Sequence, residues 1–160
     1  MKKYTLALLV AAALFTGSCQ PGDTTPCTAT TVTTKAPASE VALLKQYIDA
    51  SKLTATADDR GFYYTIQKPG TGTKPTVCSN VTVNYTGKLT DGSTFDSGNG
   101  ISFGLNQLIL GWQEGIPLIA PGGSITLYLP PSLAYGSAAQ NGIPANSILV
   151  FTIDLTRINN

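Results

Sequence analysis

The stretch Val81–Ser97, VTVNYTGKLTDGSTFDS, constrains the fold of this chain more than any other part of it. Apolar residues alternate with polar ones through Val81, Val83 and Tyr85, which is the period of a half-buried strand. Thr86-Gly87 reads as a first turn and Asp91-Gly92 as a second, the latter an Asp-Gly pair suited to the positive φ of a tight hairpin. Beyond it an aromatic stands beside a carboxylate at Phe95-Asp96. Such a hairpin implies an antiparallel sheet, and other segments must supply the neighbouring strands.

They do. Phe62–Gln67 (FYYTIQ) is aromatic and β-branched and is broken by Pro69-Gly70-Thr71-Gly72. Strands are expected at Asn80–Leu89, at Thr94-Phe95, at Ser124–Leu129 with Ile125, Leu127 and Leu129 on one face, and at Ile148–Ile158. The last places Leu149, Phe151, Ile153 and Leu155 on one face. Between them Leu110–Leu118 (LGWQEGIPL) has helical spacing through Trp112, Ile116 and Ile119, and Pro117 keeps that helix short. The expected fold class is α+β, a curved antiparallel β-sheet wrapped around one short α-helix.

Upstream, Val41, Leu43, Leu44, Tyr47 and Ile48 recur at helical spacing, so residues 39–57 are expected to hold a short amphipathic helix and a lead-in, with Ser39 as N-cap. The helix should end near Ser51 and pack on the domain or on a partner; the domain itself is expected over 58–160. Residues 19–38 are rich in Thr, Pro and Ala without periodicity and read as a flexible tether, too poor in apolar surface to offset ordering its backbone. Residues 1–18 read as a signal peptide: Lys2-Lys3, the ten-residue apolar run Leu6–Phe15, then small residues before Cys19. Leu14–Cys19 resembles a bacterial lipobox, with Thr16 where that motif usually carries Leu, which makes Cys19 the expected lipidation site. The chain is therefore expected to be exported and lipid-anchored to the bacterial cell envelope, at the outer membrane on its periplasmic or surface face. In such a compartment Cys27 and Cys78 form an even pair: either they bridge and pin the tether to the domain, or each is free or separately buried.

Composition removes several functions. Histidine is absent, so Ser-His-Asp and Cys-His catalysis are excluded and no metal site is expected. A net charge of +1 offers no basic surface to nucleic acid.

From Phe62 to Ile158 the chain resembles the FKBP-type peptidyl-prolyl isomerases. Besides the hairpin, FGLNQLILGW (103–112), APGGSITLYL (120–129), LAYG (133–136) and IPANSILVFTI (143–153) all look like segments of that family, in family order. GFYYTIQKPGTG (61–72) resembles the first strand of its exported bacterial members. The resemblance implies an apolar pocket for X-Pro peptides. Tyr85, Phe95, Asp96, Tyr135 and Phe151 would carry catalysis, and Ile101, Phe103, Leu108, Ile109, Trp112 and Ile143 would line the substrate site. Trp112 would form the floor under the proline ring, the Ile109 N–H and the Tyr135 hydroxyl would hold substrate carbonyls, and Asp96 would orient polar edges near the rotating amide. Ile101 falls where the family often has another aromatic, and Gln140 where it often has an aromatic, His or apolar residue. The implied partners are X-Pro-containing unfolded or exported polypeptides, macrolides of the tacrolimus or rapamycin type, and a membrane through the N-terminal lipid. No cofactor is implied. Two other readings use the same groove or helix: a non-catalytic chaperone or proline-peptide binding module, and a cell-envelope interaction protein docking through residues 40–50.

Overall fold

The computed structural model describes residues 27, 31–140 and 142–159. The signal segment, Cys19 and most of the tether lie outside them. Six strands form one sheet in the order β1-β2-β5-β6-β3-β4, every neighbouring pair antiparallel: β1 Thr56–Ala57, β2 Tyr63–Lys68, β3 Asn80–Leu89, β4 Thr94–Gly104, β5 Gly123–Leu129 and β6 Leu149–Asn159. Helix α1 is Ala38–Ala50, and α2 is Leu110–Gly115, continued by a 3-10 turn at Ile116–Leu118. Pro117 ends α2 as its missing donor requires. The α+β class with a curved sheet over one short helix is what the alternation and the single helix between strands implied.

The concave face is the core. Val81 and Val83 from β3, Ile125, Leu127 and Leu129 from β5, and Leu149, Phe151, Ile153 and Leu155 from β6 close over Trp112, Ile116 and Ile119. Gly111 and Gly115, one helical turn apart, let α2 approach β5. A methyl on either would fall 2.5 Å from a Leu129 or Leu127 side-chain carbon. The opposite face of β5 is covered by α1, whose Leu44 and Ile48 bury with Tyr128. Each of these two aliphatic side chains contributes roughly 1.5–3 kcal/mol when fully buried. Helix α1 therefore packs on its own domain.

Several details differ from expectation. Thr86-Gly87 is not a turn but the middle of β3, paired with Ser97 and Asp96. Strand β4 runs eleven residues rather than two: Ser97 and Gly98, poor strand formers, are carried by pairing with Thr86 and Tyr85, Asn99 and Gly100 fall in a register shift, and pairing resumes at Ile101. Ser39 does not cap α1. The N-cap is Pro37, whose carbonyl accepts the Glu40 and Val41 N–H groups at 3.0 and 3.1 Å, so Ser39 falls inside the first turn. The sheet also takes in Thr56–Ala57, upstream of residue 58.

The end of the tether is fastened rather than loose. Ala36 N–H donates to the Arg60 carbonyl at 2.8 Å, and Cys27 is bonded to Cys78 across 51 residues with a Cα separation of 5.5 Å. A cross-link closing a loop of that length stabilises a fold by about 2–4 kcal/mol. Urea melts with and without reductant should differ by that amount, and coincident curves would show that the bridge adds nothing to the folded state.

Candidate active site

The site lies at the open end of the core, where β3, β4 and β6 meet α2. Two shifts of register bend β4 against β3, between Val83 and Tyr85 and between Gly87 and Lys88. Bulges of this kind re-aim side chains. They leave Tyr85 opposite Gly98 and Gly87 opposite Asp96, so Tyr85 and Asp96 become diagonal neighbours on one face.

Trp112 is the hub. Tyr85, Phe103 and Phe151 surround its indole with centroid distances of 5.1, 6.1 and 5.3 Å and interplanar angles of 80–89°. Phe95 in turn meets Phe151 edge-on at 5.5 Å. Edge-to-face pairs are the favoured arrangement of such quadrupoles, each adding about 0.5–1.5 kcal/mol beyond its buried area. The rings thus hold one another in place around a cleft of about 130 Å³, lined by Tyr85, Asp96, Phe103, Leu108, Ile109, Trp112, Tyr135 and Phe151. A second depression of about 270 Å³ continues from it through Asp96 and Tyr135 to Phe95, Gln140 and Ile143.

Polar groups are few and sit at the rim. The Tyr85 hydroxyl donates to Asp96 Oδ2 at 2.8 Å, and Asp96 Oδ1 accepts the Ser97 N–H at 2.8 Å. Burial, and then the bond to Asp96, push the Tyr85 phenol up to about 12, so it stays a neutral donor. Burial first and the Asp96 charge second raise Tyr135 as well. The Trp112 indole N–H is buried without a protein acceptor among the described residues. Ile109 ends the connection into α2 as its N-cap.

Of the residues singled out from the sequence, all but Ile101 line one of the two depressions. Ile101 is 40% exposed on β4, opposite Val83, and lines neither depression, although its side chain and the Tyr85 ring flank the same space over Gly98. Three supporting residues were not anticipated. Gly87 makes room for two of the rings: a Cβ there would lie 2.6 Å from Phe95 and 2.9 Å from Phe151. Gly98 does the same for Tyr85, at 2.6 Å. Gln113 donates through Nε2 to the Leu108 carbonyl at 2.7 Å and holds the lip of the cleft. Glycines inside alternating strands were the available signal, since such positions mark bulges or close approach. A larger trough of about 470 Å³, lined among others by Asn84, Thr86, Thr152 and Asp154, is open and polar.

An antiparallel sheet curled over a short helix, with an aromatic-walled cleft at one end, defines an α+β domain. Residues 71–156 match the family of FKBP-type peptidyl-prolyl cis-trans isomerases, and the chain belongs to that family. It is 43% identical over 114 residues to the isomerase FkpA of Aeromonas hydrophila, covering 69% of this chain and 42% of that one. With FkpA of Escherichia coli K12 it shares 46% over 99 residues, 59% of this chain and 37% of the relative. The chain thus spans less than half the length of these curated relatives. Among solved structures, FkpA from Escherichia coli superposes with a TM-score of 0.69 at 38% identity, over 76% of this chain and 60% of that one. A peptidyl-prolyl isomerase from Pseudomonas syringae pv. tomato superposes with a TM-score of 0.68 at 30% identity, over 79% and 99% of the two chains.

Proposed function

We propose that this protein is a peptidyl-prolyl cis-trans isomerase acting on X-Pro bonds of exported polypeptides. The observation that carries the reading is the indole of Trp112 framed edge-on by Tyr85, Phe103 and Phe151, with a hydroxyl-carboxylate pair at the rim. Rotation about an X-Pro amide meets a barrier of about 18–20 kcal/mol and takes tens to hundreds of seconds unaided. No bond is made and no proton leaves. Twisting uncouples the nitrogen from the carbonyl and reduces the charge separation of the amide, so a dry apolar cleft holds the twisted form better than the planar one. That is differential binding of the transition state. Raising a ~100-second event to ~10 per second takes about a thousandfold, or ~4 kcal/mol.

In this reading the proline ring rests on Trp112 between Tyr85, Phe103 and Phe151. Leu108 and Ile109 form the lip, the Ile109 N–H and Tyr135 hydroxyl hold substrate carbonyls, and Asp96 faces the rotating amide. Phe95 and Ile143 receive a neighbouring residue. Cys19 would carry the lipid that keeps the domain at the envelope, where catalysed isomerisation assists the folding of newly exported chains.

The test is exchange between cis and trans forms of a Pro-containing peptide, with and without a macrolide of the tacrolimus type. Acceleration that the macrolide abolishes is the expected result. Absent acceleration together with absent macrolide binding would overturn the reading in favour of a different use of the groove.

A further inference from the structure

Glu40 lies on α1, outside the matched residues 71–156, yet its carboxylate reaches into the segment that presents Tyr135. Glu40 Oε2 accepts the Ser132 N–H at 2.8 Å, across 92 residues of sequence. Ser132 is the second residue of a 3-10 turn, Pro131–Leu133. Pro131 has no N–H, so Ser132 carries the first backbone donor of that turn, a donor the turn itself leaves unmet.

The chain beyond this turn winds tightly around the same point. The Pro131 carbonyl accepts both the Ala134 and the Gly136 N–H at 2.9 Å, and the Gly136 carbonyl accepts Asn146 N–H at 3.0 Å. Tyr135 is carried between those two bonds, 37% exposed, and lines both depressions of the site. The base of α1 is itself firmly seated. Ala36 N–H is bonded to the Arg60 carbonyl, and the Cβ that Gly61 lacks would lie 2.8 Å from Val41 and 2.9 Å from Ala36. Leu44 and Ile48 then bury the next turns of the helix against Tyr128.

We propose that Glu40 is a positioning residue for Tyr135: by holding the Ser132 N–H, α1 sets the direction in which the Pro131–Gly136 segment aims the phenol. A bond from a backbone N–H to a carboxylate is among the stronger hydrogen bonds, and its loss leaves the Ser132 donor unpaired. The proposal rests on the reading of Tyr135 as a donor to substrate.

The experiment is a cycle on the full chain with Glu40→Ala, Glu40→Gln, Tyr135→Phe and the double variant Glu40→Ala/Tyr135→Phe, measuring kcat and KM for an X-Pro peptide and the hydrogen exchange of the Ser132 amide. Glu40→Ala is expected to lower kcat/KM about tenfold and to speed Ser132 exchange while the α1 amides stay protected. Glu40→Gln, which keeps a carbonyl oxygen acceptor, should stay within about threefold of the wild type. In the Tyr135→Phe background Glu40→Ala should cost nothing further, as expected of two residues acting through one group. Losses that multiply independently, or a slow Glu40→Gln with unchanged exchange at Ser132, would overturn the proposal. So would an unaffected Tyr135→Phe, which would remove the group being positioned while leaving isomerisation itself intact; absent activity in the wild type would instead defeat the isomerase reading.

Discussion

Asp96→Ala is expected to lower kcat/KM for an X-Pro peptide by roughly 10- to 100-fold, the equivalent of one charge-assisted hydrogen bond. The carboxylate is exposed and sits at the junction of the two depressions. Nothing in the core leans on it, so the thermal midpoint should stay within a few degrees of the wild type. That separation makes it a sharper probe than Phe151→Ala, which would empty a buried ring site at a cost of about 3–5 kcal/mol in stability. Tyr85→Phe refines the interpretation. It keeps the ring against Trp112 and Phe103 and removes only the hydroxyl that donates to Asp96 Oδ2. A fall smaller than that of Asp96→Ala is expected, because the carboxylate remains but loses one of its two donors. Line-shape or exchange spectroscopy on the peptide measures both. Wild-type kcat/KM in Asp96→Ala would exclude the carboxylate from the reaction.

How much of this was legible beforehand depended on what kind of force placed each residue. Hydrophobic period placed the interior faces of β5 and β6 and the apolar face of α2, because burial repeats along an element. It could not place Gly87. Glycine is the commonest turn residue, and Thr86-Gly87 reads as a turn until Phe95 and Phe151, far apart in sequence, are seen to need the space above it. Strand β4 escaped for the related reason that pairing with β3, not its own residues, holds Ser97 and Gly98 in the sheet and resumes at Ile101 after a bulge at Asn99-Gly100. The rings that the motifs supplied are brought together around one cleft. Of the motif residues for the site, Ile101 alone lines neither depression. Long-range ties were legible only where residue type announced them. The Cys27–Cys78 bridge was one of the two readings that an even pair of cysteines allowed, and the structure forms it, whereas Glu40–Ser132 had no signal at all, since nothing local links a helix carboxylate to a turn 92 residues on.

Glu114 was equally invisible and governs the second large effect. It lies on α2 between Trp112 and Ile116, is only 1% exposed, and neither carboxylate oxygen has a hydrogen-bond partner among the described residues. Arg60 lies near enough to attract it, but that guanidinium is already engaged with Asp58, at 2.7 Å from Nε and 2.8 Å from Nη2. Burial therefore dominates. It raises the Glu114 carboxyl from 4.5 to about 7 against the pull of Arg60, with Asp58 and Asp59 adding to the rise. Below pH 4.5 the group is protonated in both folded and unfolded chains and does not bias the equilibrium. Between 4.5 and about 7 the unfolded chain releases the proton first, so the unfolded state binds fewer protons and stability falls as pH rises, levelling off above about 7. At about 1.4 kcal/mol for each tenfold difference in proton affinity, the full decline is about 3 kcal/mol. Asp58 and Asp91, both held below their ordinary value of 3.8, act in the opposite sense but at lower pH, where acid would remove their contribution. Glu114→Gln keeps the shape and removes the titration. Its thermal midpoint should match the wild type near pH 5 and exceed it at pH 8 by roughly 10 °C. A wild type and variant whose midpoints run parallel from pH 5 to 8 would mean that Glu114 ionises as readily in the folded protein as in water.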